Sequence, residues 1–133
     1  MVLVDTSVWS LAFRRTRQLD DPLRRELAAL VVGGNALLLG AVRQEVLCGI
    51  SSEAQFDALR TKLRAYPDVE ARAGDYEQAA HFFNRCRSRG VQGSQVDFLI
   101  CSVAARLDIP IFTTDADFTH YARLLPVTLH RWH

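Results

Sequence analysis

Four carboxylates in this chain stand where an acid could do chemistry: Asp5, Glu45, Asp97 and Asp115. Asp5 ends the apolar run VLVD (residues 2–5) and is followed at once by two hydroxyls, Thr6 and Ser7. Asp115 lies in TTDADF (residues 113–118), where hydroxyls again stand beside carboxylates after an apolar run. Glu45 is three residues after Val42 and four before Gly49, which turns it toward an apolar stripe, and Asp97 is three residues after Ser94. Three or four such acids gathered together repel, and one would normally be protonated. A divalent cation relieves that repulsion, and hard oxygen ligands select Mg²⁺ or Mn²⁺. Such a site lowers the pKa of a bound water and stabilises charge on a phosphodiester. Thr6, Ser7, Thr113 and Thr114 are short hydroxyls able to orient the carboxylates. Each acid also has a plainer reading. Asp5 or Thr6 could simply cap a helix, Asp97 could complete a capping box, and Glu45 could pair with Arg43 or another arginine at the surface.

These acids need elements to hold them. Residues 2–4 read as a short buried strand with a helix directly behind it. Asp21-Pro22 is a helix start whose apolar positions are Leu23, Leu27, Leu30 and Val31, closed by Gly33-Gly34. Residues 36–39 read as a second buried strand, and residues 41–50 as the helix carrying Glu45. Ser52 opens another helix through a capping box with Gln55, and Pro67-Asp68 stops it. Asp75 opens the next, with Tyr76, Ala79, Ala80 and Phe83 on its apolar side and Gly90 at its end. Ser94 and Asp97 begin a helix apolar along one broad face, and residues 109–112 read as a strand with Pro110 at its start. A short helix at 118–124 and a last strand at 127–129 complete the pattern.

Strands alternating with helices imply an α/β fold with a mostly parallel central sheet flanked by helices in three layers. Strand ends of one sense share one sheet edge, so Asp5 and Asp115 meet there, and ligands of α/β sheets bind at that edge. Glu45, one turn into a helix that follows a strand, is within reach of it. Placing Asp97 there needs the fold; spacing alone does not do it.

With 133 residues, the chain is expected to form a single domain, 1–133. Its net charge of +1 gives no global field that argues for nucleic acid or membrane. Of the sixteen basic residues only Lys62 is a lysine, a bias that suits phosphate contacts but also follows from genome composition. Cys48, Cys86 and Cys101 lie far apart in apolar helical patterns and read as buried thiols. No apolar run is long enough to span a bilayer, so a cytoplasmic protein without a membrane partner is the expectation. His130 and His133 flank Arg131-Trp132 in what reads as a frayed tail.

Over essentially its whole length the sequence resembles the PIN-domain ribonucleases, and specifically the VapC-type toxins of bacterial toxin–antitoxin pairs. The resemblance rests on VLVDTSVW (residues 2–9), Glu45 in the helix after the second strand, Asp97 followed by FLICSVAA, and TTDADF, all in register. It implies a PIN fold whose four acidic positions fall on Asp5, Glu45, Asp97 and Asp115. Asp5, Asp97 and Asp115 would be metal ligands, and Glu45 would act through water. Asp117 is an accessory acid, and Thr113 matches the family's threonine before the last aspartate. The resemblance implies Mg²⁺- or Mn²⁺-dependent endonucleolytic cleavage of RNA without a covalent intermediate. It further implies homodimers and a cognate VapB-type antitoxin, which forms a hetero-oligomer with the toxin and reaches into the acidic site. An acidic site must still attract a polyanion, and Arg14, Arg15 and Arg17 are candidate RNA contacts.

The rival from another class is a catalytically silent PIN-like module that only binds RNA or protein; keeping all four acids argues against it. A phosphotransfer receiver domain would need a lysine near the site, and a haloacid-dehalogenase-type phosphatase would need an aspartate at position 7, which is serine. No GxxxxGK[ST] or GxGxxG loop is present.

Overall fold

A computed structural model describes residues 1–13 and 21–132; Arg14, Arg15 and Arg17 lie outside the described residues. The first strand, β1 (Val2–Val4), leads into α1 (Thr6–Ala12). Next come α2 (Pro22–Val32), β2 (Ala36–Leu39), α3 (Gly40–Leu47), α4 (Glu53–Leu63) and β3 (Asp68–Val69). The long helices α5 (Ala73–Ser88) and α6 (Gln95–Leu107) pack against each other and precede β4 (Ile111–Phe112) and α7 (Asp117–Leu124). Among the described residues the strands form one sheet in the order β3-β2-β1-β4, every pair parallel. This is the α/β fold with a parallel sheet flanked by helices that the alternation implies. No described helix is long and apolar enough to cross a membrane.

β1 is the inner strand that fixes the site. Val2 and Leu3 stand opposite Ala36 and Leu37 of β2, while Leu3 and Val4 stand opposite Ile111 and Phe112 of β4. Every residue of β1, β2 and β4 is buried, as expected where helices cover both faces of a parallel sheet. Their continuous apolar runs supply the core, with Trp9, Phe82, Phe98, Phe118 and Tyr121 filling it between sheet and helices.

The helix starts follow the sequence closely. Asp21 accepts the Leu23 N–H at 2.8 Å with Pro22 in the first turn, Ser52 accepts the Gln55 N–H at 3.3 Å, and Ser94 accepts the Asp97 N–H at 3.0 Å. Gly90, with φ of +76°, turns the chain just after α5.

Six expectations are corrected. The helix carrying Glu45 ends at Leu47 rather than 50, because Cys48 is already extended and Gly49 has φ of +86°. Cys48 is exposed there, whereas Cys86 and Cys101 are buried thiols. α5 starts at Ala73 rather than Asp75. Asp75 works from inside the first turn, accepting the Arg72 N–H at 2.9 Å, and Tyr76 beside it is 58% exposed rather than packed on the apolar side. The last strand contracts to a single parallel bridge between Ile111 and Leu129, since β4 is two residues long and offers its outer edge at Ile111 alone. The tail is not frayed through 132: His130 donates its N–H to the Ile111 carbonyl at 2.8 Å and pairs with Glu26, and Phe112 lies against the rings of His130 and Trp132.

Candidate active site

The parallel pairing of β1 with β4 sets two loop starts side by side. The Asp5 N–H donates to the Phe112 carbonyl at 2.8 Å, so Asp5 and Thr113 leave the sheet as neighbours. Asp5 is 3% exposed, one of few charged residues in the interior. Its Oδ2 accepts two hydroxyl protons, from Ser7 at 2.8 Å and from Thr113 at 2.8 Å. Each hydroxyl in turn accepts a backbone N–H: Ser7 from Thr114 at 3.1 Å, Thr113 from Asp115 at 3.0 Å. Asp115 closes the chain of contacts, its Oδ1 accepting the Asp117 N–H at 2.9 Å as α7 begins. Backbone order at the end of β4 is thus passed to the Asp5 carboxylate through two short side chains.

Glu45 reaches the same region from α3. It is exposed, and its Oε1 accepts the Thr6 hydroxyl at 2.6 Å. Arg43 pairs with Asp68 of β3 rather than with Glu45, and no other arginine among the described residues forms an ion pair with it. Thr6 and Ser7, successive residues of α1, therefore serve different acids: one holds Glu45, the other Asp5.

Asp97 lies in the first turn of α6, half-buried, with its Oδ2 accepting the phenol proton of Tyr121 at 2.8 Å. Sequence reasoning missed Tyr121. The available signal was its place three residues after Phe118, which puts both rings on the buried face of α7, where a phenol requires a partner.

Electrostatics ties these acids together. Burial pushes the Asp5 carboxyl above its ordinary value, and the hydrogen bonds from Ser7 and Thr113 oppose that push. Burial also raises Asp97, with bonds from Tyr121 and Ser94 opposing and the charge of Asp5 raising it further. Tyr121 is driven up by burial, by its bond to Asp97, and by the charges of Asp97, Asp117 and Asp115, so all three carboxylates act on the pocket around the phenol. Between described residues, no arginine, lysine or histidine forms an ion pair with Asp5, Glu45, Asp97 or Asp115.

That donor set fits a hard divalent cation: oxygen ligands only, with Asp5 buried and Asp97 half-buried and repelling each other, and no cationic partner for either among the described residues. Among the described residues, no three acidic, imidazole or thiol groups are disposed to close around one ion. Mg²⁺ is commonly held by one or two carboxylates while keeping several waters, so a two-carboxylate arrangement is sufficient. A separate groove of about 550 Å³ runs between α3, α5 and α6, lined by Ala41, Gln44, Ala80, Phe83 and Val96; none of the four acids lines it.

Comparison with known proteins places this geometry in context. The sequence model of the PIN domain matches residues 2–124. No curated protein matches the sequence. Among solved structures, the chain is similar to VapBC2 from Rickettsia felis bound to a DNA fragment from its promoter, with TM-score 0.77 and 17% identity over 100% of both chains. It is similar to FitAcB from Neisseria gonorrhoeae, with TM-score 0.73 and 16% identity over 100% of this chain and 99% of the other. A toxin–antitoxin complex from Klebsiella pneumoniae follows at TM-score 0.66 and 16% identity, covering 89% of this chain and 90% of that one.

Proposed function

The chain belongs to the PIN domain family, and we propose that it is a metal-dependent endoribonuclease, the toxin of a toxin–antitoxin pair neutralised by a VapB-type antitoxin. The observation that carries the nuclease reading is Asp5: a carboxylate 3% exposed, fixed by Ser7 and Thr113, and close enough to Asp97 to raise its pKa. Burying that charge without a cation would cost several kcal/mol. The fold shared with a toxin–antitoxin complex and with VapBC2 supports the partner assignment. Homodimerisation and a toxin–antitoxin hetero-oligomer belong to the same proposal.

In this reading Asp5 and Asp97 would hold Mg²⁺ or Mn²⁺ directly, and Asp115 would contribute through one of the waters that the ion keeps. The bound ion would lower the pKa of a coordinated water and neutralise charge developing on the phosphodiester. The protein's own part is positional. Ser7 and Thr113 lock the Asp5 carboxylate in one orientation, and the Asp117 N–H does the same for Asp115. Glu45, solvent-facing and steadied by Thr6, takes up the proton of the attacking water. Asp117 and Thr6 are accessories to this arrangement, and Arg14, Arg15 and Arg17 guide the RNA.

The test uses a panel of structured and unstructured RNAs, with and without Mn²⁺, alongside Asp5→Asn. Cleavage that needs Mn²⁺ and falls at least a hundredfold in Asp5→Asn is the expected result (roughly the scale on which a core catalytic group acts). Equal cleavage by the variant overturns the proposal, and tight RNA binding without cleavage assigns the silent binding module instead.

A further inference from the structure

Tyr121 is fully buried on α7, with its ring 4.9 Å from Phe98 and set edge-on to Phe118 at 5.0 Å. Packing on two sides fixes the ring, and its one polar atom is aimed at Asp97 Oδ2, 2.8 Å away. The room for that hydroxyl depends on residue 93 being glycine. A Cβ there would lie 2.1 Å from the Tyr121 oxygen and 2.7 Å from Cζ, closer than packed atoms approach. The other end of the region is fastened in the same way, since the Asp117 N–H at the start of α7 donates to Asp115 Oδ1 at 2.9 Å. One eight-residue helix therefore touches two of the four acids, one through its first N–H and the other through Tyr121 about one turn further on.

From this geometry we infer that Tyr121 is a positioning residue: its hydroxyl fixes Oδ2 of Asp97, so that the carboxylate is preset to hold a divalent cation, and Gly93 keeps the place of that hydroxyl open. The inference rests on the reading above that Asp97 is a cation ligand. Carboxylates that bind metals are commonly held by a further hydrogen bond, and losing that bond typically weakens metal binding or activity about 10–100-fold. The phenol is well suited to the role. An ordinary phenol titrates at about 10, so it is a donor at neutral pH.

The experiment measures Mn²⁺ affinity without RNA, by the electron paramagnetic resonance of free Mn²⁺, together with a thermal melt of each variant. The variants are Asp97→Asn, Tyr121→Phe, Gly93→Ala and Phe118→Leu. Wild type is expected to bind, Asp97→Asn to lose binding, and Tyr121→Phe to bind at least about tenfold more weakly. In RNA cleavage Tyr121→Phe should lower kcat with KM unchanged. Phe118→Leu loosens α7 without touching the hydrogen bond, so it should lower Tm and keep Mn²⁺ affinity. Wild-type affinity in Tyr121→Phe overturns the inference while leaving the metal site standing, whereas equal affinity in wild type and Asp97→Asn overturns the metal site itself. If Tyr121→Phe does not fold, Gly93→Ala decides the matter, because it keeps the phenol but displaces its oxygen; unchanged affinity there overturns the inference.

Discussion

Asp5 takes two hydroxyl protons on one oxygen, and those donors come from opposite ends of the chain, Ser7 two residues away and Thr113 at a separation of 108. Removing either leaves the carboxylate with one support instead of two. Thr113→Val should lower activity by about 10–100-fold and stability by about 1 kcal/mol, read from kcat and a denaturant midpoint. Ser7→Ala should behave alike, since Ser7 also accepts the Thr114 N–H. Activity unchanged in both would show that the hydroxyls serve the fold alone. The residue scale is also where the sequence speaks most clearly. A carboxylate after a buried strand and hydroxyls beside it are local patterns, so Asp5, Ser7, Thr113 and Asp115 could be picked out in advance. Tyr121 was legible only as a buried phenol in need of a partner; which partner is set by how α7 lies across α6, a contact between elements that no local pattern records.

At the scale of elements, α5 and α6 are fastened by an ion pair whose carboxylate is buried and whose guanidinium reaches the surface. Asp75 accepts from Arg106 Nε at 2.8 Å and from a second guanidinium nitrogen at 3.0 Å, while Ser102 of α6 donates to the Asp75 carbonyl at 2.8 Å. The guanidinium holds the Asp75 carboxyl below its ordinary value of 3.8. Because the folded state binds that proton less readily than the unfolded chain, the stabilisation is complete above pH 3.8 and is lost as pH falls through the depressed folded value. Arg106→Ala should therefore lower stability near neutral pH, measured by urea unfolding. The gap from wild type should narrow below about pH 4, and a constant gap would show that the arginine contributes packing rather than charge. Elements were legible in proportion to their length. α2, α4 and α6 carry caps and full apolar stripes, and β1 and β2 are unbroken apolar runs. β3 escaped notice because two residues, one of them the exposed Asp68, make no periodicity. Asp75 misplaced the start of α5 because an acid three residues inside a helix and an acid ahead of it look the same without coordinates.

For the whole molecule, a net charge of +1 leaves the RNA attraction proposed above to local features. Replacing Arg14, Arg15 and Arg17 with glutamate should weaken RNA binding. It should also flatten the salt dependence, by about 0.7 in log–log slope for each single-strand phosphate that is no longer neutralised. An unchanged slope in a filter-binding titration would place the attraction elsewhere. The sheet order has a consequence for how the chain is made. β1 is the first strand synthesised, yet its partners begin at residue 36 on one side and residue 111 on the other. Asp5 gains the Thr113 hydroxyl, and Asp97 the Tyr121 phenol, only after residues 113 and 121 have left the ribosome. A nascent or truncated product ending before β4 carries Asp5 with no finished setting around it. Vectorial synthesis thus leaves the acidic centre unassembled until β4 and α7 are translated, which, for the ribonuclease proposed above, would spare the RNA of the cell that makes it.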